Sequence, residues 1–316
     1  MLRSFLLLTL VSLFSGSLRA IVVGSGDGSS AVVSLNEIVD GVNLNGVVEL
    51  ESSGGIGCSG SLLSDGYSIL TAGHCITSSY GSSVPSYVDV YFPGLSSPNT
   101  VTTYYVDPLW TGAYGQGNDL AILRLNQAAP SSAAGYSLYT GIYNGSPILL
   151  AGYGQTGNGT TGINGGFGTL RQGQNRYDTT GSDPRLEWSA NMLVGDFDNG
   201  TDTNNALGST DSDIPDEVDL GLGDSGGPSF YDGEIIGVHD LGACFSATES
   251  GPCTVPPSLS TGDNSYFGQL FADTGVAADA SWIESEETPE PASSSLVVLG
   301  LAAAGFFGSR GSRRPS

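Results

Sequence analysis

The stretch GDSGGP at residues 223–228 sets one serine, Ser225, among residues that carry little or no side chain. Glycine lets the backbone turn tightly and approach another group closely. A serine on such a turn has an exposed hydroxyl and backbone N–H groups nearby, which suits a nucleophile beside an oxyanion hole. The chain has 48 Gly, so a glycine-rich loop without chemistry is the alternative interpretation. A base and an orienting acid elsewhere in the chain would favour the interpretation of Ser225 as a nucleophile.

The search for a base is short because the chain has 2 His, His74 and His239. His74 lies in TAGHC, residues 71–75, directly after an apolar segment. A disulfide between the adjacent Cys75 and the upstream Cys58 would fix the turn that carries His74. A general base must be held within hydrogen-bond reach of its nucleophile, and such a bridge would serve that purpose. We therefore predict His74 as the base, although a structural role is the default for a histidine taken alone.

The orienting acid is predicted at Asp119, in NDLAILRL at residues 118–125. This residue opens an apolar run, where a carboxylate is costly unless it is paired. An imidazole such as that of His74 is the partner that a Ser-His-Asp triad requires. A turn-forming aspartate before a strand is the alternative for this residue taken alone.

These blocks together resemble the trypsin/chymotrypsin-like serine proteases. TAGHC, NDLAIL and GDSGGP match the three catalytic blocks of that family in its order, while GYGQT at 152–156 and SWI at 281–283 resemble its mid-chain turn and its C-terminal helix. The resemblance covers about residues 47–284. It implies an all-β fold of two packed six-stranded antiparallel β-barrels, with the site between them and a short C-terminal helix.

The resemblance also assigns roles to residues of this chain. It makes Ser225 the nucleophile of a secreted serine endopeptidase, His74 the general base and later the general acid, and Asp119 the residue that fixes the histidine tautomer. The N–H groups of Gly223 and Ser225 would form the oxyanion hole. Peptides or proteins would be the substrates, without a cofactor. The alternative is a catalytically inactive trypsin-like scaffold, exported as a binding or matrix protein.

The resemblance implies that Asp219, which lies six residues before Ser225, sets the substrate preference. In the family an acid at that place pairs with Arg or Lys of the substrate. The surrounding DEVD at residues 216–219 leaves open which acid matters, since a slip of one residue changes the assignment. Gly221 stands where the family has the first cysteine of its pocket disulfide.

A second departure is Asp240, in DLG at residues 240–242 where the family commonly has Ser-Trp-Gly. The resemblance would place Asp240 near Asp119. Two close carboxylates raise the pKa of one of them. Binding a substrate amine is the other interpretation of this residue.

The two ends of the chain are predicted to lie outside the fold, which leaves a protease domain at 21–285. Residues 1–20 have the pattern of a secretory signal, with cleavage after Ala20 or after Ser17. Cleavage after Ala20 would free an N-terminus at Ile21 to pair with Asp224, as in many family members, without a separate zymogen step.

Residues 286–316 are predicted as a linker and tail, with PEP at 289–291, an apolar run at 296–307 and a basic end. The order resembles the PEP-CTERM sorting signal of exported bacterial proteins. It implies handling by an exosortase-type machinery, transient membrane anchoring through this segment, and a final place outside the cell or at its surface. A plain C-terminal membrane anchor is the alternative.

Four cysteines in an exported chain suggest disulfides, with three possible pairings. Beside a Cys58–Cys75 bridge, Cys244 would pair locally with Cys253. No Cys-x-x-Cys spacing argues for zinc, and no metal site is predicted. The acidic stretch at residues 196–202 is a candidate calcium site, because alternating acids can surround a hard cation with oxygen atoms. The stretch does not follow the EF-hand order of ligands, and this favours a solvated turn instead.

Composition excludes a nucleic-acid partner. Acids outnumber bases 32 to 9, the net charge is −23 and phosphate contacts need clustered bases. Short apolar segments separated by Gly, Ser and Asn predict a sandwich or barrel. The predicted strands are Val47–Leu50, Ser68–Thr71, Tyr87–Phe92, Leu120–Leu125, Ile148–Gly152 and Glu234–Val238; a helix is predicted at Val276–Ser285 and long loops at 155–215.

Overall fold

The computed structural model describes residues 21–53, 55, 57–208, 214, 216–243 and 264–287. The strands are β1 Val22–Val23, β2 Ile38–Val39, β3 Val42–Asn43, β4 Val47–Ser52, β5 Gly57–Leu62, β6 Ser68–Thr71, β7 Val88–Tyr91, β8 Asn99–Val106, β9 Ala121–Leu125, β10 Ile148–Gly152, β11 Gly157–Asn158, β12 Gly162–Ile163, β13 Arg171–Asn175, β14 Thr179–Thr180, β15 Met192–Asp196, β16 Val218–Asp219, β17 Pro228–Tyr231, β18 Glu234–Ala243 and β19 Leu270–Gly275. Short 3₁₀ turns occur at Ser29–Ala31, Leu44–Gly46, Gly73–Cys75 and Val276–Ala278, and α1 spans Ala280–Glu287.

Six strands of the N-terminal half close into an antiparallel barrel in the order β4-β5-β6-β9-β8-β7. In β7 the apolar residues Val88 and Val90 are buried, while Asp89 and Tyr91 between and after them are partly exposed. This alternation is the sequence signature of a strand with one buried face. The barrel strands contribute buried side chains such as Ile69, Leu70, Val90, Ile122 and Leu123, each with an exposed fraction of 0%.

Seven strands of the C-terminal half form one sheet in the order β13-β10-β17-β18-β19-β15-β14. The prediction of a mostly β protein with two β units and one short helix is confirmed. The second unit differs in detail from a six-stranded barrel, because the two-residue strand β14 adds a seventh member next to β15.

A small four-stranded sheet, β12-β11-β1-β16, joins the start of the described chain to the segment before Ser225. Strand β1 pairs in parallel with β11 and antiparallel with β16, where Val22 lies opposite Asp219. Residues far apart in sequence therefore meet next to the serine turn.

The prediction of long loops at residues 155–215 is wrong, because this stretch contains the five-residue strands β13 and β15. Both carry buried polar residues that hide the usual apolar pattern. Arg171 donates from Nε to the Gly28 carbonyl, and Asn175 donates from Nδ2 to the carbonyls of Asp196 and Val218. Hydrogen bonds of this kind compensate the burial of polar groups.

The C-terminal segment forms the 3₁₀ turn Val276–Ala278 and then α1, close to the predicted helix. Ile283 of α1 is fully buried in the apolar cluster of the barrel, and Arg124 on β9 donates to the Glu287 carbonyl. Among the described residues, no helix has the length and apolar character needed to cross a membrane. The predicted linker and tail at 286–316 begins too early, because residues 286 and 287 belong to α1. The rest of that tail, the predicted signal at 1–20 and the cysteines Cys244 and Cys253 lie outside the described residues.

Candidate active site

His74 and Asp119 form a tightly paired unit on the barrel. The N–H of His74 donates to Asp119 Oδ1 at 2.7 Å, and His74 Nδ1 lies 2.5 Å from Asp119 Oδ2. The Asp119 side chain has an exposed fraction of 0% and that of His74 14%. These two contacts from one carboxylate fix both the turn and the ring of the histidine. Because Asp119 engages Nδ1, Nε2 is the ring nitrogen that can exchange a proton with another group.

Local sequence explains this pairing. His74 occupies the 3₁₀ turn that follows β6, and Asp119 lies two residues before β9, which is the hydrogen-bonded neighbour of β6. A Cβ atom added at Gly73 would lie 2.9 Å from Asp119 Oδ1, so a glycine is needed for the close approach. The disulfide Cys58–Cys75 ties the same turn to β5.

Two aromatic residues that the sequence analysis missed support the imidazole. Tyr114 packs edge-on against His74, with ring centroids 5.1 Å apart, and Trp110 packs edge-on against Tyr114. Trp110 is anchored through Nε1, which donates to the Thr77 carbonyl at 3.2 Å. Burial raises the pKa of Tyr114, with the charges of Asp119 and Asp240 adding to the effect. No spacing rule in the sequence would have found this pair.

Ser225 lies on a turn held against the barrel. Its carbonyl accepts from Ser59 N at 2.8 Å and lies 3.6 Å from Cys75 Sγ, the neighbour of His74. Gly226 has a φ of 80°, and a Cβ atom there would lie 2.1 Å from Thr71 Oγ1. The glycine after the serine is therefore required both by its conformation and by its contact with β6.

Hydrogen bonds to two carbonyl groups set the direction of the N–H groups of Gly223 and Ser225. The Leu222 carbonyl accepts from Gln155 N at 2.7 Å, and the Asp224 carbonyl accepts from Gly227 N at 2.8 Å. In a trans peptide the N–H points opposite to the carbonyl. The N–H groups of Gly223 and Ser225 therefore point away from these interior contacts, and both residues are partly exposed.

Asp224 and Ile21 are brought together in the interior. Asp224 Oδ2 accepts from Gly221 N at 2.8 Å and from Ile21 N at 3.3 Å, while Oδ1 accepts from Gly154 N at 2.8 Å. Burial raises the pKa of Asp224 to about 6, although these backbone donors oppose the shift. Ile21 itself has an exposed fraction of 0%.

Asp219 lies at the end of β16 with an exposed fraction of 0%, and its Oδ1 accepts from Leu220 N at 2.8 Å. Of the neighbouring acids, Asp216 is exposed, and Glu217 accepts through Oε2 from Asp198 N. The three acids thus have different surroundings, and Asp219 is the buried one nearest in sequence to the Ser225 turn.

Asp240 lies beside the His74–Asp119 pair, as the sequence comparison with the family suggested. One oxygen of Asp240, one oxygen of Asp119 and one ring nitrogen of His74 all lie within 4.8 Å of one another. The other histidine, His239, is fully buried and pairs through Nδ1 with Asp273 Oδ1 at 3.0 Å. These contacts give the two histidines of the chain separate aspartate partners.

The acidic stretch at 196–202 does not gather around a common point. Asp196 Oδ2 accepts from Leu207 N, and Asp198 Oδ1 accepts from Gly200 N. Within the described part of the chain, no three carboxylate, imidazole or thiol groups of this stretch lie within 4.8 Å of one another. The expectation of a solvated turn is wrong for Asp196 and Asp198, because both are buried and Asp196 belongs to β15.

His74 and Asp119 are paired on the barrel, and the turn that carries Ser225 lies against the same barrel. The family described as Trypsin matches residues 41–255. The chain therefore belongs to the trypsin family.

A comparison with solved structures supports the fold. Mouse neuropsin, described as a serine protease expressed in the limbic system of mouse brain, is similar with a TM-score of 0.55 and 17% sequence identity. The match covers 82% of this chain and 98% of neuropsin. A search of curated proteins finds no match to the sequence.

Proposed function

We propose that the protein is a secreted serine endopeptidase that hydrolyses peptide bonds through an acyl-enzyme intermediate. The observation that supports this most strongly is the paired His74–Asp119 unit on the turn whose Cys75 lies against the Ser225 peptide. Family membership supports peptides or proteins as substrates. The proposed chemistry uses the side chains of His74, Asp119 and Ser225 together with two backbone N–H groups.

In the proposed reaction, Ser225 Oγ attacks the carbonyl carbon of the scissile peptide while His74 Nε2 takes the hydroxyl proton. Asp119 holds the imidazole with Nδ1–H toward its carboxylate and stabilises the imidazolium that forms. The N–H groups of Gly223 and Ser225 donate to the oxygen that becomes negative. His74 gives its proton to the leaving amine, the C–N bond breaks, and water repeats the sequence to release the acid.

We propose that the active form begins at Ile21. The Ile21 nitrogen already lies 3.3 Å from Asp224 Oδ2 in the interior. Cleavage after Ala20 would convert this amide into an α-amino cation beside a buried carboxylate, a pairing that stabilises both charges. N-terminal sequencing of the exported protein is expected to read Ile21-Val22-Val23-Gly24. Another start in an active protein would contradict this step alone.

We propose a preference for Arg or Lys before the cleaved bond, with Asp219 as the acid that receives the substrate cation. Its burial beside the Ser225 segment supports this choice over the exposed Asp216. Export through the predicted signal and sorting of the tail by an exosortase-type machinery belong to the same proposal, and they place the enzyme outside a bacterial cell or at its surface.

The test is cleavage of a mixed peptide library by the full chain after export, with Ser225→Ala as the inactive control. Cleavage after Arg and Lys, lost in that variant and redirected in Asp219→Ser, is the expected result. Cleavage after other residues would keep the serine mechanism and overturn the role of Asp219. No cleavage by folded protein whose N-terminus is Ile21 would favour the inactive binding scaffold.

A further inference from the structure

Asp240 lies at a β-bulge beside the paired histidine. The register between β18 and β19 shifts between His239 and Leu241, so Asp240 is the extra residue of β18. Bulges next to active sites commonly re-aim a side chain. Here the result is that the acid–base atoms of Asp240, Asp119 and His74 all lie within 4.8 Å of one another.

The surroundings of Asp240 suit a neutral acid better than an anion. The residue has an exposed fraction of 3%. Its Oδ2 accepts one hydrogen bond, from Thr274 Oγ1 at 3.3 Å, and its buried Oδ1 accepts none from the described residues. A buried carboxylate needs several donors to replace its water. A protonated Asp240 carboxyl group would instead donate to the nearby Asp119.

Two neighbouring aspartates also oppose the ionisation of Asp240. Asp119 faces it from the connection between β8 and β9, and Asp273 faces it from β19. The other titratable groups of the cluster are His74 and Tyr114, whose rings pack against each other. Burial raises the pKa of Asp240 well above its usual range, with the charge of Asp119 and a hydrogen bond to Asp119 as the next causes.

Asp273 keeps its own charge compensated and so is not the proton acceptor for Asp240. Its Oδ1 pairs with His239 Nδ1, and its Oδ2 accepts from Tyr177 OH at 2.5 Å and Ser229 Oγ at 2.6 Å. Asp119 is therefore the carboxylate that is available to receive a hydrogen from Asp240.

We propose that Asp240 is a neutral carboxylic acid that donates a hydrogen bond to Asp119, and that it is thereby a positioning residue for His74. The proton stays on Asp240 while Ser225 and His74 exchange theirs. One negative charge, not two, then faces the imidazolium, so the ring remains able to return its proton to the leaving amine. The catalytic consequence rests on the proposed peptidase function, whereas the protonation itself does not.

The protonation is tested by NMR titration of the two histidine rings in the full chain, comparing the wild type with Asp240→Asn. An amide is a permanent neutral donor of similar size. If Asp240 is already neutral, the midpoint of the His74 titration stays nearly unchanged. An anion this close shifts a neighbouring titration by about 1–3 pH units. A fall of about one unit or more in Asp240→Asn would overturn the proposal.

The positioning role is tested by the rate at which a fluorophosphonate phosphonylates the protein, a reaction in which the serine oxygen bonds to phosphorus and fluoride leaves. Asp240→Asn is expected to react within about threefold of the wild type, because a donor to Asp119 remains. Asp240→Ala should react about ten- to a hundredfold more slowly, the range for losing a hydrogen bond to a charged group. Asp240→Ser, with a shorter donor, should fall between them, which guards against misfolding of the alanine variant.

Asp196→Asn is the matched control, since Asp196 is a fully buried acid of the same sheet away from the pair. Its phosphonylation rate should equal that of the wild type. Equal rates for the alanine and asparagine variants of Asp240 would overturn the positioning role. If the wild type itself is not phosphonylated, the proposed peptidase function fails, and the NMR result still decides whether Asp240 is the neutral donor.

Discussion

The two β units of this protein bury different kinds of side chain. Strands β4–β9 enclose an apolar interior, and the buried acids of this half, Asp107 and Asp119, both lie in the connection between β8 and β9. The described part of the C-terminal half buries many ionisable groups: Arg171, Asp196, Asp198, Glu217, Asp219, Asp224, His239, Asp240 and Asp273. The barrel therefore provides a rigid support for the histidine, while the second half carries the groups whose charge depends on pH.

This difference means that pH should affect the stability of the two halves differently. The apolar core of the barrel gives a stability that varies little with pH, because transfer of apolar surface involves no proton. Buried acids couple stability to pH through their shifted pKa values. The candidate site lies between the barrel and the second half. Variants in the barrel are therefore expected to change stability equally at every pH, and variants of the buried acids to change its pH dependence.

The largest expected effect is on catalysis. Asp119→Asn should lower the rate of peptide cleavage by about 10⁴-fold, because an amide favours the wrong tautomer of His74. The matched control is Asp107→Asn, the other buried acid of the same connection, which should change the rate only slightly. Steady-state kinetics with thermal unfolding of each variant make the measurement. Similar losses in both variants would show a general structural effect.

The next effect is on the stability of the second half. Asp273→Ala leaves three buried donors, on His239, Tyr177 and Ser229, without their acceptor. We expect the free energy of unfolding to fall by about 3–5 kcal/mol.

The control is Ser229→Ala, which removes a single donor and should lower the free energy of unfolding by about 1 kcal/mol. Urea denaturation of both variants provides the values. Equal, small losses would mean that the hydrogen bonds around Asp273 contribute little to the fold.

A comparable or slightly smaller effect is expected in the barrel from the disulfide. Replacing Cys58 and Cys75 together by Ala opens a loop with a sequence separation of 17. The loss in unfolding free energy should be about 3 kcal/mol. Because this bridge holds the turn of His74, phosphonylation by a fluorophosphonate should slow as well. Chemical denaturation and labelling of the same sample separate the loss of stability from the loss of reactivity. Unchanged labelling would show that Asp119 alone fixes the histidine.

The smallest effect concerns pH. Burial raises the pKa of Asp196 to about 8. Between about pH 4 and pH 8 the folded state thus keeps a proton that the unfolded state releases, so the contribution of Asp196 to stability falls as pH rises. Asp196→Asn should reduce the loss of stability between pH 5 and pH 8 by about 1 kcal/mol or more.

Denaturation curves across that pH range test the assignment. Ile122→Val is the matched control in the barrel core, and it should lower stability by about 1 kcal/mol at every pH. If Asp196→Asn leaves the pH dependence of the wild type unchanged, other groups carry the coupling.

The sequence predicts the barrel half better than the second half, and the reason is physical. Short apolar runs give β6 and β9 nearly their observed bounds, since every residue of β6 and every residue of β9 except Arg124 is buried. Strand β13, with buried Arg171 and Asn175, carries no such pattern. Its stability comes from specific hydrogen bonds between distant segments, which no local pattern contains.

The candidate site shows the same division. His74, Asp119 and Ser225 lie in recognisable motifs because each needs glycines or apolar neighbours around it. The support of the imidazole by Tyr114 depends on the path of the loop that carries it, and so it was visible only in three dimensions. Asp240 was noticed as a departure from the family, but its bulge and its missing donor required the structure.

The most direct test of the central claim is covalent labelling of the exported full chain with a fluorophosphonate, followed by mass spectrometry to locate the adduct. We predict one adduct, on Ser225, that is absent from Ser225→Ala and from His74→Ala. Absence of an adduct on folded protein that begins at Ile21, or an adduct on another serine, would contradict the assignment of this chain as an active serine peptidase.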